Sequence, residues 1–207
     1  MRLFLVRHGE STYNAEGRIQ GQQDAPLSER GRQQAQWIGE RLRSYDFDAC
    51  YASDLARAAD TARAIMQHHP DTPSAFTTLL REIGFGTFEG LLMPEIEKTY
   101  PDEYAQWMEA RRDFTPPGAE SVHELHDRAG RALAWLRDRG HEGTVLVVAH
   151  GGLLTSFLAQ ILDLGFDARY RFHFDNTAFT VVEDGIWGPR LLLCNDTSHL
   201  GSDAAFP

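Results

Sequence analysis

The run Thr144–Ala149 (TVLVVA) constrains the fold most. After the leading threonine every side chain is apolar, so the segment has no face suited to water. A strand of this kind belongs inside a largely parallel sheet with helices packed on both sides. Leu3-Phe4-Leu5-Val6 reads the same way, and Asp48–Ala52 reads as a weaker third strand. Helical patterns lie between them. Ser28 is the expected N-cap of a helix to about Arg43, with Ala35, Ile38 and Leu42 on one face. Ser53 is expected to cap a second, with Leu55, Ala58, Ala62, Ile65 and Met66 on one stripe, ending near His68-His69-Pro70. Glu120–Arg139 sets Val122, Leu125, Ala129, Leu133 and Leu136 at spacings of three and four, and a further helix is predicted from about Gly152 to Leu162. Phe172–Val182 and Arg190–Leu193 read as antiparallel edge strands separated by Asp184-Gly185. Residues 91–118, rich in Trp, Tyr, Met and charge, read as an irregular helical excursion closed by Pro116-Pro117-Gly118. The expected organisation is one domain over residues 1–207, carrying that excursion.

Thirty acidic residues against 20 basic ones give a net charge of −10. Such a field repels polyanions, so nucleic acid and anionic membrane surfaces are not expected as partners. A small anion is still admitted, because a local arginine cluster outweighs distant charge within a Debye length. No apolar run approaches the roughly 20 residues that span a bilayer. The four apolar residues before Arg7-His8 are too few for a signal-peptide core, and a cytoplasmic location is expected. Cys50 and Cys194 form no CxxC pair and are expected to be small buried hydrophobes. His123 and His126 share a helix face, but without HExxH spacing or a third ligand they read as helix surface rather than a metal site.

The chemistry gathers at strand ends. In open α/β sheets ligands bind beyond the carboxyl ends of the strands. The strand at 3–6 runs into Arg7-His8-Gly9-Glu10, the one at 144–149 into His150-Gly151-Gly152, and the weaker one into Ser53-Asp54-Leu55-Ala56-Arg57. If these strands are parallel neighbours, two histidines and two arginines converge on one edge. Such a cationic pocket fits a phosphate, since guanidinium forks match phosphoryl oxygens and helix N-termini add oriented amides. A neutral imidazole whose second nitrogen is held by a fixed acceptor is also a competent nucleophile.

Arg7-His8-Gly9-Glu10 with Asn14, Gln20-Gly21 and Leu27-Ser28-Glu29-Arg30-Gly31 resembles the signature of the histidine phosphatase superfamily, the phosphoglycerate mutase-like family. Further blocks follow in family order: Ser53–Arg57 with Thr61-Ala62, Glu82 ahead of Gly84–Gly90, Pro117–Ser121, and Val148–Gly152. Asn176-Thr177 and Asn195–Leu200 are similar to the tails of its small phosphatase members. The resemblance implies a three-layer α/β/α fold with a mostly parallel sheet and an antiparallel edge. It implies that His8 attacks phosphorus, while Arg7, Arg57 and His150 hold the phosphoryl oxygens. Asn14, Gln20, Gly21 and the Gly151 amide would bind substrate. Glu82 would protonate the leaving oxygen and then activate water, aided by partial burial or by the charge of bound phosphate. Glu89 is expected to partner an arginine, and Glu10 and Ser11 to be structural. No metal or other cofactor is implied, because arginines and histidines supply the positive charge.

The expected activity is a metal-independent, acid-to-neutral phosphomonoesterase acting on a small phosphorylated metabolite. The alternatives are a phosphoglycerate mutase or a non-catalytic phosphate binder. A binder has no need of both His8 and Glu82. Cofactor-dependent mutases of the family are longer and carry Glu-Arg-His-Tyr at the acid, where this chain has Glu82-Ile83-Gly84-Phe85. A homodimer is compatible with the sequence. Tyr100, Tyr104, Trp107 and Phe114 are equally suited to a substrate pocket or to a small core of the excursion.

Overall fold

The computed structural model describes residues 1–109, 114–186 and 188–203. In chain order the elements are β1 (Arg2–Arg7), α1 (Thr12–Glu16), α2 (Glu29–Leu42), β2 (Ala49–Ser53), α3 (Ala56–Met66) and β3 (Ser74–Thr77). Then come α4 (Met93–Thr99), α5 (Pro101–Glu109), α6 (Val122–Arg137), β4 (Thr144–Ala149), α7 (Gly151–Ile161), β5 (Phe179–Gly185) and β6 (Gly188–Asp196). The strand order is β3-β2-β4-β1-β5-β6. The first four run parallel, and β5 and β6 form the antiparallel edge.

Side-chain alternation along β1 sorts the core into two layers. Leu3 and Leu5, with Val145 and Val147 of β4, face α6 and α7 through Leu125, Leu133, Leu153 and Phe157. Phe4 and Val6, with Leu146 and Val148, face Ile38 and Leu42 of α2 and Ala58 and Ile65 of α3. Each fully buried aliphatic side chain contributes about 1.5–3 kcal/mol relative to exposure. That is why a strand apolar on both faces settles in the middle of the sheet. Register then positions the site. Arg7 lies opposite Ala149, and Ala52 opposite Val148, so β1, β4 and β2 end at one level. His8, His150 and the turn into α3 leave the sheet side by side.

Several expectations are corrected. Ser53 is not the cap of α3: Leu55 holds that position, and Ser53 closes β2. Helix α6 starts at Val122, capped by Ser121, which leaves Glu120 ahead of it. The strand foreseen from Phe172 begins at Phe179, because 172–178 is the irregular approach that carries contacts to the site. Asp184 and Gly185 pair with Pro189 and Gly188 within the hairpin, so the reversal comes later than expected. Strand β3 was not foreseen, since Ser74–Thr77 is short and mostly exposed. Cys50 is buried in β2, but Cys194 is exposed on the edge strand β6. The excursion holds α4 and α5, with residues 110–113 outside the described part. No described helix is long and apolar enough to cross a membrane.

Candidate active site

The chain leaves β1 as Arg7-His8-Gly9, and the surrounding backbone pins it. The His8 amide donates to the Ala149 carbonyl at 3.0 Å. The His8 carbonyl accepts from Asn176 Nδ2 at 3.0 Å, and the Gly9 amide donates to Thr61 Oγ1 at 3.0 Å. His8 is 2% exposed. Its Nδ1 donates to the Gly9 carbonyl at 2.6 Å, and since a carbonyl only accepts, the lone pair resides on Nε2. Burial, then Arg7 and Arg57, hold the imidazole well below the usual histidine range, so the ring is neutral near pH 7.

His150 caps the start of α7, its ring centroid 5.0 Å from that of His8. Its Nε2 lies 2.8 Å from Ser53 Oγ. That hydroxyl also accepts from the Leu55 amide at 3.3 Å, which leaves its own hydrogen free for Nε2; in that arrangement the His150 proton resides on Nδ1. Burial, then Arg57 and His8, keep this ring uncharged as well. Nδ1 has no hydrogen-bond partner among the described residues.

Both arginines are held from one side only. Arg7 donates from Nη1 to the Phe174 carbonyl at 2.6 Å. Arg57, in the first turn of α3, donates to the Gln23 and Gly21 carbonyls at 2.8 Å each. The Nε atoms of both are buried and unpartnered among the described residues. Two guanidiniums and an imidazole N–H thus keep donors in reserve around the His8 ring, a set that matches a tetrahedral oxyanion.

Glu82 enters from the loop after β3. Its Oε1 accepts from the Ile83 amide at 2.8 Å and the Leu153 amide at 3.1 Å, and its Oε2 from the Gly152 amide at 3.0 Å. The carboxylate therefore sits on the N-terminus of α7, a site that favours negative charge. A Cβ at Gly152 would lie 2.5 Å from Glu82 Oε1, so any larger residue there would push the carboxylate off its amides. The loop is clamped behind Glu82. Arg81 pairs with Asp54 through Nε at 2.7 Å and Nη2 at 2.6 Å. Arg128 forms a two-point pair with Glu120 at 2.8 and 2.6 Å and donates to the carbonyls of Leu79, Arg81 and Glu82.

The remaining expected residues fall nearby in differing ways. Asn14 Oδ1 completes the capping box of α1 with Ser11 and lies 3.5 Å from Asn176 Nδ2, while its own NH2 donates to no described residue. Gln20 Oε1 accepts from Ser11 Oγ at 2.5 Å. Gly21 offers its carbonyl to Arg57, at a φ of +55°. Gly151 opens α7 beside the Arg7 side chain. Glu89 accepts from the Gln22 and Phe85 amides at 2.8 Å each; it makes no direct ion pair with an arginine among the described residues, but its charge acts on Arg57. Glu10 accepts from Ser28 Oγ at 2.6 Å and Ser11 caps α1, both structural as expected.

Beyond Glu82 lies a cavity of about 310 Å³, lined in part by Phe85, Trp107, Phe114, Arg169 and Tyr170. The excursion's aromatics divide between two jobs. Trp107 and Phe114 line this cavity and also contact the Phe88 ring, which Tyr100 contacts without lining the cavity. His123 and His126 flank the Phe166 ring, and no metal-binding group of three or more ligands occurs among the described residues. Sequence reasoning missed Ser53, Arg128, Asn176 and Arg169 as contributors. Arg128 had a readable signal: it lies on the buried stripe of α6, where a charge must be paired.

A mixed sheet whose adjoining carboxyl ends present two histidines and two arginines defines a phosphoglycerate mutase-like α/β protein. Residues 3–197 match the histidine phosphatase superfamily (branch 1), and the chain belongs to that family. It is 34% identical to the probable phosphoglycerate mutase GpmB of Salmonella choleraesuis, over 99% of this chain and 97% of that one. Its fold superposes on the α-ribazole phosphatase of Shigella flexneri with a TM-score of 0.90 at 27% identity, covering 95% of this chain and 96% of the other. A phosphoserine phosphatase from Entamoeba histolytica, solved with 3-phosphoglyceric acid, gives 0.80 at 28%, covering 96% and 98%.

Proposed function

We propose that the chain is a phosphomonoesterase that hydrolyses small phosphate esters through a phosphohistidine at His8. The carrying observation is the His8 ring: neutral, its lone pair on Nε2, and ringed by unpartnered donors of Arg7, Arg57 and His150. Nε2 attacks phosphorus as the ester P–O bond breaks, and the electron pair leaves with the alkoxide. The arginines and His150 Nδ1–H stabilise charge on the phosphoryl oxygens, where most of the catalysis lies. Asn14 Nδ2, Gln20, Gly21 and the Gly151 amide complete the binding side.

Glu82 gives its proton to the leaving oxygen. Bound phosphate brings a negative charge that opposes the three amides favouring the carboxylate, and Oε2, which accepts one amide against two at Oε1, has the freer lone pair to carry the proton. In the second half, Glu82 takes a proton from water, the water oxygen attacks phosphorus, and the P–N bond returns its pair to Nε2. The positive charge comes from protein side chains, and no step needs a metal.

The mutase reading is favoured by the name of the 34% identical relative, and the phosphatase reading by the names of the structural neighbours. The run Glu82-Ile83-Gly84-Phe85 lacks the basic and tyrosine groups of the mutases, and Glu82 borders the cavity of about 310 Å³ from which water can attack. Incubation with 3-phosphoglycerate separates the two. Inorganic phosphate without 2-phosphoglycerate is expected. Rapid appearance of 2-phosphoglycerate with little phosphate would make the protein a mutase.

A further inference from the structure

We propose that Arg169 is a specificity-determining residue that binds a carboxylate on the leaving group, so the preferred substrates are phosphomonoesters of small hydroxy acids. This narrows the phosphatase reading and rests on it. Arg169 lies in a 3-10 helix over Phe166–Arg171 and is 7% exposed. Its Nη1 and Nη2 reach only the Val122 and Gly152 carbonyls, at 3.4 and 3.5 Å, the outer limit of a hydrogen bond. Its Nε has no partner among the described residues, and no described carboxylate forms an ion pair with it.

The other buried guanidiniums mark the contrast. Arg128 is satisfied by Glu120 and three carbonyls, and Arg57 and Arg7 face the phosphoryl site. Arg169 has no such ion pair: its guanidinium lies over the Tyr170 and Phe166 rings, 5.3 and 6.0 Å from their centroids, with the Glu82 charge nearby, and its buried Nε is left for a ligand's counter-charge. Arg169 lines the cavity of about 310 Å³ alongside Glu82 and the aromatic side chains Phe85, Trp107, Phe114 and Tyr170.

Position and charge narrow the ligand. Gly152 bridges the two sites: its carbonyl faces Arg169 and its amide holds Glu82 Oε2. Because Glu82 serves the leaving oxygen, an anion on Arg169 is a substituent of the leaving alcohol. Among the described lining residues Arg169 is the sole cation, Glu120 is already neutralised by Arg128, and Glu82 is engaged by amides. One guanidinium matches one carboxylate in charge and in planar two-point geometry. The aromatic walls lower the local polarity and strengthen that contact.

The test uses matched ester pairs that differ by a carboxylate: O-phosphoserine against O-phosphoethanolamine, and 3-phosphoglycerate against glycerol 3-phosphate. Nitrophenyl phosphate serves as a check on the underlying activity. The wild-type enzyme is expected to favour the carboxylated member in kcat/KM, on the order of 10- to 100-fold, as befits a charge-assisted contact. Arg169→Met should bring the ratio close to one, and Arg169→Lys should restore part of it. Equal kcat/KM for both members of each pair in the wild-type enzyme would overturn the assignment, whether or not the variants fold. So would an Arg169→Met loss that falls equally on both members, the mark of a merely structural role. Absence of turnover on every ester, nitrophenyl phosphate included, would instead remove the phosphatase reading and this inference with it.

Discussion

Glu82→Ala tests the division of labour at the site most sharply. The substitution removes the group assigned to protonate the leaving oxygen and leaves the His8, Arg7, Arg57 and His150 cluster in place. Alanine is cleaner than glutamine, because a glutamine NH2 at the Oε2 position would face the Gly152 N–H at about the present 3.0 Å. A positioned general acid contributes about 10²- to 10⁴-fold, equivalent to roughly 3–5 kcal/mol of barrier. An alkyl ester such as glycerol 3-phosphate expels a strongly basic alkoxide and should lose that full factor in kcat/KM. Nitrophenyl phosphate expels a stable phenolate and should lose less than about tenfold, since little protonation is needed. The structural side effect is small. Two amides at the start of α7 and that of Ile83 lose an acceptor, comparable to removing an N-cap at about 1 kcal/mol. That corresponds to a fall in Tm of about 2–4 °C for a chain of this size. Steady-state assays on the two esters, with a melting curve on the same preparation, give both readings. Equal losses on the two esters would remove Glu82 from the acid role.

Other consequences follow from the same contacts. Arg128→Met leaves Glu120 mostly buried and unpaired and frees three carbonyls behind Glu82, so a loss of about 3–5 kcal/mol and a Tm drop on the order of 10 °C are expected. A change under about 2 °C would show that the clamp contributes little. Ser53→Ala removes the partner of His150 Nε2 and frees the ring to take the other tautomer; kcat should fall roughly tenfold or more, up to the ~10²- to 10³-fold of one lost oxyanion contact. Unchanged kcat would contradict that assignment. Stability should also fall as pH drops from 7 to 5. Unfolded histidines gain protons near pH 6.5, while buried His8 and His150 stay neutral, so each contributes a loss of up to about 1.4 kcal/mol per pH unit across that window. His199, held at about 4, acts in the same direction. Urea titrations at pH 7, 6 and 5 would check this, and a flat profile would contradict neutral imidazoles at the site.

The sequence revealed most where one residue type can satisfy only one environment. A strand apolar at every position, such as Val145–Ala149, has a single berth in a three-layer fold, and the residues following it are placed at the sheet edge with it. His8, His150, Arg7 and Arg57 were therefore legible, because adjacent strands and one helix start carry all of them. Residues whose work depends on long-range contacts were not. Ser53 resembles an ordinary helix cap until β2 and β4 are paired and its hydroxyl meets His150, 97 positions away. Arg169 lies in irregular chain, where no periodicity marks one side as buried. Glu89 carries a charge that suggested an arginine partner, yet two loop amides take its Oε1. The exposed Cys194 follows from its place on β6, a strand with a neighbour on one side only.

The central claim is that phosphate passes through the imidazole of His8. Mixing the enzyme with radiolabelled phosphate ester, quenching in alkali within one turnover and digesting the chain would report it directly. An acid-labile, alkali-stable label on the peptide holding His8 is predicted, with no label and no turnover in His8→Ala. Label on another side chain, or turnover that proceeds without any labelled protein, would contradict it.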